Sequence, residues 1–281
     1  GETVYMIADL FPAGIALNGA SYGPRTGHTG YDANGNLALA AVTGSINGNS
    51  SSDLRMTAAF DYHLEKIEGA KDDAASYYAL KDKDGNTVEG YTIDAYFNIK
   101  GENVDTNLFC GDSPYFPYPT DFLYLTKSTD GGKTWSIPSL LNVKYTTEAT
   151  VLVCPGRGVV TSTGRIVFPV YEHTSGREFT SVIYSDDKGE TWTRSANMSN
   201  NCSEAGITEA DGRLYMFTRH GGYYVSENNG ETWSARKAVV PNYDTTTQLS
   251  AITYSEKIDG KTAILLSVPG LYRRLNGAVY V

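Results

Sequence analysis

The sequence has few of the residues that hold metal-dependent or disulfide-rich proteins together. Its 281 residues include 3 cysteines and 4 histidines, without the short spacings that bind zinc or form a redox-active pair. Basic side chains are also in deficit, 23 against 32 acidic ones, which argues against nucleic acid as a partner. Apolar runs long enough to cross a bilayer are missing. We therefore expect no metal, no cofactor, no nucleic-acid partner and no membrane span.

Tryptophan is equally scarce, and its three copies close one recurring phrase, Ser-x-Asp/Asn-x-Gly-x-Thr-Trp. The copies span residues 128–135, 185–192 and 226–233. The Ser and Asp/Asn side chains can hydrogen-bond the backbone of a tight turn, and the Gly can adopt positive φ. The Trp can be buried as an anchor for the turn. Three such boxes predict three equivalent structural units.

A second repeat has a period of 48 residues. Hairpin dipeptides occur at Thr163-Gly164, Asp211-Gly212 and Asp259-Gly260. Each precedes a run rich in β-branched and aromatic residues, which is typical of a strand. A period of 40 to 50 residues with several short strands per repeat predicts the blades of a β-propeller. The fold class is therefore predicted as all-β, with regular blades and three boxes over residues 107–281.

The first part of the chain is less regular. Residues 1–20 are predicted to be a propeller strand segment, and residues 21–106 contain no Trp box but are rich in Gly, Asn, Ser and Asp. We predict that 21–106 is a β-rich insertion within the propeller. The segment 82–86 has the acidic residues of a calcium loop. Its glycine falls too early for that template, so a hairpin turn is predicted there.

Candidate chemistry emerges when the Asp211-Gly212 hairpin is paired residue by residue. A two-residue turn places Glu204 opposite Arg219, at the end of the hairpin far from the turn. The 48-residue shift places Tyr171, opposite Gly156, at the same level of the preceding blade.

The same shift pairs Ile252 with Ser267 in the following blade, with Arg273 and Arg274 just beyond. These residues together would form an anion site beside a carboxylate. On spacing alone, an exposed Glu204–Arg219 pair contributing about 0.2 to 1 kcal/mol is the favoured interpretation.

Several segments resemble bacterial exo-sialidases (neuraminidases), in which the catalytic domain is a six-bladed propeller. They are 203–205 with 211–219, 266–269 with 274–277, 11–14, 155–158 and 183–187. The resemblance implies that Glu204 is the glutamate that activates a catalytic Tyr. It also implies that Arg219 and Arg274 are two of the three arginines that bind the substrate carboxylate, with Arg273 as the rival of Arg274. Tyr171 matches no family segment and is predicted to bind substrate from its register alone.

The resemblance implies an exo-α-sialidase that acts on sialylated glycans or glycoproteins, either secreted or at the cell surface. Sialic acid carries a carboxylate on its anomeric carbon, which arginines can hold and which would repel an anionic nucleophile. A neutral Tyr assisted by a Glu suits that substrate.

Three family residues have no counterpart at the expected places. In sialidases, the first arginine and the acid/base Asp precede the segment that begins here at Phe11, and the Tyr nucleophile follows the third arginine at a greater distance than Tyr280. We therefore expect an internal, truncated part of a sialidase domain. By itself it is expected to bind sialic acid weakly and to be inactive.

Two other functions remain open. A non-catalytic Asp-box propeller that binds sugar or protein would let Glu204 and Arg219 splay into solvent. A hydrolase of neutral polysaccharides would have paired carboxylates in place of an arginine cluster.

Overall fold

The computed structural model describes residues 3–15, 24–42, 58–174, 176–198, 202–239, 247–269 and 277–281. Over these ranges the secondary structure is β-strand, with a single 3-10 turn at Arg219–Gly221, so the all-β prediction is confirmed. The described residues contain no helix that is long and apolar enough to span a membrane. The chain divides into two compact units, Gly1–Thr150 and Val151–Val281.

The first unit contains two antiparallel sheets. The smaller has the order β1 (Val4–Leu10), β9 (Phe122–Ser128), β10 (Ser139–Leu141). The larger has seven strands in the order β7 (Val104–Asn107), β6 (Asn98–Gly101), β5 (Tyr91–Ile93), β4 (Tyr78–Asp82), β3 (Tyr62–Lys66), β2 (Ala38–Ala41), β8 (Tyr115–Pro117). Its core includes the fully buried Leu39, Ile93, Ile99 and Leu108. The predicted boundaries of the insertion at 21 and 106 stay a prediction.

Three turns of the first unit share one side-chain hydrogen-bond pattern. They span residues 32–36, 82–86 and 94–98, each beginning with Asp and ending with Asn. In each, one Asp carboxylate oxygen accepts the backbone N–H groups two and four residues later, at 2.8–2.9 Å. The other oxygen accepts the Asn side-chain amide. The hairpin turn predicted at 82–86 is therefore confirmed, as one member of this set of Asp–Asn turns.

The second unit contains three sheets. The first has the order β11 (Thr150–Val153), β13 (Ile166–Thr174), β14 (Arg177–Ser185), β15 (Thr193–Arg194), with β12 (Val159–Val160) also paired to β13. The second has the order β16 (Ala205–Ala210), β17 (Arg213–Thr218), β18 (Gly222–Ser226), β19 (Lys237–Ala238). The third has the order β20 (Ser250–Thr253), β21 (Ile264–Val268), β22 (Ala278–Tyr280). Phe217 of the second sheet packs with Leu249, Ala251, Leu266 and Val268 near or in the third.

The three Trp boxes form the same turn. In each, the Ser hydroxyl donates to the side-chain oxygen of the Asp or Asn and accepts the backbone N–H of the Gly, at 2.7–2.9 Å. The same Asp or Asn oxygen accepts the backbone N–H of the Thr. The predicted equivalence of the three boxes is thus confirmed. The predicted burial of the tryptophans is not confirmed, since Trp135 is exposed and Trp192 and Trp233 are half-buried.

Arg165 connects two of these boxes. Its guanidinium donates to both carboxylate oxygens of Asp186, at 2.7 and 2.8 Å, and to Glu231 at 3.1 Å. It also donates to the carbonyl of Asn229 and lies 4.1 Å above the ring of Tyr184. Asp186 belongs to the box after β14, whereas Asn229 and Glu231 belong to the box after β18, so this mostly buried arginine joins two sheets.

The boxes predict a difference in acid sensitivity. Hydrogen bonds from Thr191 and Ser185 lower the pKa of Asp187 to about 2, and corresponding bonds lower the pKa of Asp130. A lowered folded-state pKa gives stabilisation that is complete above the ordinary value and is lost as pH falls toward the folded value. The third box has Asn228 in this position, which does not titrate and donates instead to Thr232 at 2.9 Å.

We therefore expect the double variant Asp130→Asn, Asp187→Asn to fold but to lose part of the acid dependence of its stability. Between about pH 4 and pH 2 its Tm should fall less steeply than that of the unmodified chain. The measurement is Tm by circular dichroism at half-unit pH steps. Parallel plots of Tm against pH for the two proteins would show that these carboxylates make no net contribution to the acid dependence of stability.

Candidate active site

The hairpin of β16 and β17 has the register that the sequence predicts. Ala205 faces Thr218 and Ala210 faces Arg213, with Asp211 at φ 48° and Gly212 at φ 72° in the turn. These two positive φ values are those of a type I′ turn, which favours Asp-Gly. At the far end, the N–H of Arg219 donates to the carbonyl of Glu204 at 2.8 Å.

Glu204 and Arg219 also form an ion pair through their side chains. Arg219 Nη1 donates to Glu204 Oε2 at 3.1 Å, and the side chains are 28% and 22% exposed respectively. The pair is therefore partly shielded from water, unlike the exposed cross-strand pair favoured by spacing alone. Partial burial strengthens the attraction between charges, because the surrounding dielectric is lower.

The pair keeps unused hydrogen-bonding capacity. Arg219 Nε is buried and has no hydrogen-bond partner in the described part of the chain. A guanidinium has five N–H donors, so Arg219 can bind a second carboxylate while it holds Glu204. Glu204 Oε1 likewise makes no hydrogen bond or ion pair with a described residue and can accept a proton. A buried, unpaired donor is costly, whereas the exposed part of the Arg219 guanidinium can meet an anionic ligand.

Backbone strain lies on both sides of this pair. Ser203, just before Glu204, has φ 51°, and His220, just after Arg219, has φ 69°. Such conformations cost about 1 to 3 kcal/mol each and persist where surrounding contacts hold them. The carbonyl of Ser203 accepts the hydroxyl of Thr180, and that of His220 accepts Arg236 Nη2 at 2.7 Å. The two strained residues are thus held in place by side chains from other strands or loops.

Tyr171 lies near this end of the first sheet of the second unit. It is buried in β13 and faces Thr180 of β14, whose hydroxyl donates to the carbonyl of Ser203. Tyr171 is thus linked to the residue before Glu204 through one cross-strand neighbour. Its predicted contact with substrate stays a prediction.

Two details of the predicted register are wrong. Val160 faces Ile166, so the turn at Thr163-Gly164 is one residue longer than a two-residue hairpin, which displaces Tyr171 from Gly156. In the third sheet, Ser267 faces Ser250 rather than Ile252, because the β20–β21 connection contains two extra residues on its first side. The third predicted arginine, Arg274, and its rival Arg273 lie outside the described residues.

Two residues that help to place Glu204 are not indicated by any local pattern in the sequence. Gln248 Nε2 donates to the carbonyl of Pro155 and, at 3.3 Å, to that of Ala205, the residue after Glu204. Gly206 lies so close to the next segment that an added Cβ would be 2.5 Å from the carbonyl oxygen of Leu249. Both contacts join distant parts of the chain, so no local pattern signals them.

The charged groups near Glu204 do not form a metal site. Over the described ranges, no group of three or more His, Cys, Asp or Glu side chains is placed to hold a metal ion. The arrangement is instead suited to binding a carboxylate beside a group that accepts protons.

The chain matches one family model and is similar in sequence to sialidases. Residues 56–278 match the BNR repeat-like domain family. The chain is 31% identical to an anhydrosialidase of Macrobdella decora over 100% of its own length and 39% of that protein. It is 32% identical to sialidase B of Streptococcus pneumoniae over 96% of its length and 40% of that protein. The chain therefore spans about two fifths of these relatives.

A solved structure agrees with these relatives. The intramolecular trans-sialidase of Ruminococcus gnavus, in complex with oseltamivir carboxylate, superposes with a TM-score of 0.76 and 26% identity. The alignment covers 99% of this chain and 60% of that one. The fold is thus that of the sialidase β-propellers, which confirms the propeller predicted from the repeats and the sialidase type implied by the resemblance. These relatives are an anhydrosialidase, a sialidase and an intramolecular trans-sialidase, and the chain belongs to the BNR repeat-like domain family.

Proposed function

We propose that this chain contributes the glutamate and an arginine of the active site of an exo-α-sialidase, an enzyme that removes terminal sialic acid from glycans or glycoproteins. The observation that carries the proposal is the partly buried ion pair of Glu204 with Arg219, which retains an unpaired buried Nε. The sialidase relatives and the shared fold support the same chemistry.

Each residue has a distinct role in this proposal. Arg219 binds the carboxylate of sialic acid with the N–H groups that Glu204 leaves unused. Arg274 is proposed as a second arginine for that carboxylate, and Tyr171 as a wall of the sugar pocket. Glu204 accepts the proton of a Tyr that attacks the anomeric carbon, a reaction that suits a substrate whose own carboxylate repels anionic nucleophiles.

The ion pair also orients Glu204 for this step. Arg219 holds Oε2, while Oε1 stays available for the incoming proton. The strained residues on each side fix both backbones, so the two side chains need little reorganisation when substrate binds. We further propose secretion or display at the cell surface, where sialylated glycans occur.

The proposal is tested by comparing a charged ligand with its uncharged ester. By saturation-transfer NMR, the chain should bind N-acetylneuraminic acid, and its uncharged methyl ester at least about 10-fold more weakly, since the ester loses charge-assisted hydrogen bonds. Equal binding of the acid and the ester would contradict the proposal. So would binding of neutral hexoses in competition with the acid, which would favour the non-catalytic sugar-binding alternative.

A further inference from the structure

The third Asp–Asn turn of the first unit differs from the other two in its central residues. The first two have a polar residue followed by glycine, Asn34-Gly35 and Asp84-Gly85, with the glycines at φ 85° and 83°. The third has Tyr96 and Phe97 in these places, and Phe97 adopts φ 66°. A bulky residue at such a φ is strained, because its Cβ is close to the backbone.

Packing explains Phe97 but not Tyr96. Phe97 is buried and stacks on Tyr78 at 5.5 Å between ring centroids, and it also contacts Phe109. This burial compensates for the strained backbone. Tyr96 is 48% exposed, although the equivalent positions of the sister turns have small polar side chains.

The backbone around Tyr96 is fixed on both sides. Its N–H donates to Asp94 Oδ1 at 2.8 Å, and its carbonyl accepts Asn107 Nδ2 at 2.9 Å. The same asparagine amide contacts Asn98 Oδ1 at 3.1 Å. An exposed ring on such a rigid turn loses little backbone entropy when it binds a ligand.

The ring borders a groove in the first unit. This groove is a cavity of about 360 Å³ whose polar lining includes Asp72, Asp73, Thr92, Asn98 and Lys100. The volume suits one or two sugar rings. Asp94 is engaged within its own turn, whereas Asp72 and Asp73 make no hydrogen bond or ion pair within the described chain.

The charges in the groove restrict the ligand class. Lys100 already lies 3.4 Å from Asp105, so the carboxylates of Asp72 and Asp73 dominate the lining. They would repel an acidic sugar and accept hydrogen bonds from hydroxyl groups. No metal-binding group of three side chains occurs in the described residues. A sugar ring with an apolar C–H face and several hydroxyls fits both the face of the Tyr96 ring and the carboxylates of the groove.

We propose that the groove beside Tyr96 binds a neutral sugar ring, which stacks on Tyr96 and donates hydroxyl hydrogen bonds to Asp72 and Asp73. The proposal does not rest on the sialidase function, because the residues involved belong to the first unit and the ligand carries no charge. It assigns a second carbohydrate site to the chain.

The test uses lactose as the neutral probe, with saturation-transfer NMR on the complete chain. Lactose should bind, and Tyr96→Asn should weaken that binding by at least about 5-fold through loss of the aromatic face. This variant places in the third turn the residue that the first has at Asn34, so the turn should form normally. Asp72→Asn with Asp73→Asn should weaken binding as well, because neutral amides accept hydroxyls less strongly.

Tyr145→Ala is the matched control, since Tyr145 is 54% exposed and lies outside the groove. Its lactose affinity should equal that of the unmodified chain. The proposal is overturned if lactose, galactose and N-acetylglucosamine all fail to bind, or if Tyr96→Asn binds lactose normally. A groove that binds calcium and no sugar would overturn it too. If the unmodified chain binds lactose but not sialic acid, only the sialidase proposal is contradicted.

Discussion

The substitution Arg219→Ala is expected to reduce the affinity of the chain for N-acetylneuraminic acid by roughly 30-fold or more. Removing one member of a shielded, hydrogen-bonded charge pair costs about 2 to 5 kcal/mol. Arg219 supplies the donors proposed for the carboxylate, and its loss also leaves Glu204 to repel the ligand. Titration by NMR or calorimetry measures this change, and Arg219→Lys should recover only part of it, because an ammonium group lacks the planar fork.

Arg213→Ala is the control for this substitution. Arg213 begins the same strand, is more exposed and pairs with Glu227 at 3.4 Å, so its removal should leave sialic acid binding unchanged. Glu204→Gln should retain binding, since it removes a negative charge near the ligand carboxylate. Equal losses for Arg213→Ala and Arg219→Ala would mean that overall charge, and not this site, controls binding.

Gly206→Ala should be among the most destabilising single substitutions in the second unit. The new Cβ would lie 2.5 Å from the carbonyl oxygen of Leu249 and 3.4 Å from the N–H nitrogen of Ala251. Both are backbone atoms, so β16 and the chain entering β20 must move apart. We expect a loss of about 3 kcal/mol of unfolding free energy and a decrease in Tm of about 6 to 12 °C.

Gly212→Ala separates this steric effect from a conformational one. Gly212 also resists substitution, since its φ is 72°, but no atom lies within 4 Å of an added Cβ. Gly212→Ala should lower the free energy of unfolding by about 1 kcal/mol. Urea unfolding of both variants measures the two losses. A Gly206→Ala variant as stable as Gly212→Ala would show that the two segments separate at little cost.

The parts of the fold that the sequence predicts well are those fixed by local chemistry. The Asp211-Gly212 turn sets the register of its hairpin because two consecutive positive φ angles admit only one turn type. The Ser and Asp/Asn side chains of the boxes act within eight residues, so their hydrogen bonds are also implied by the sequence. Both features follow from contacts between near neighbours in the chain.

The features that the sequence does not reveal depend on longer-range contacts. The bulged connection before Ile264 shifts Ser267 by two residues without changing the Asp259-Gly260 turn that predicted its position. No local pattern distinguishes Gln248 from other polar residues, because the two carbonyls to which it donates belong to distant segments of the chain. The third Asp–Asn turn lacks the glycine that marks the other two, because Phe97 stands in its place and is held there by packing against Tyr78 and Phe109.

Arg165 makes the stability of two neighbouring sheets interdependent. Its guanidinium is shared between the turn after β14 and the turn after β18, so the opening of either turn releases part of the side chain that holds the other. Amide hydrogens of both sheets should therefore exchange with solvent in a common opening event rather than independently. A common exchange rate would mean that this single side chain couples two locally stabilised turns into one cooperative unit of unfolding.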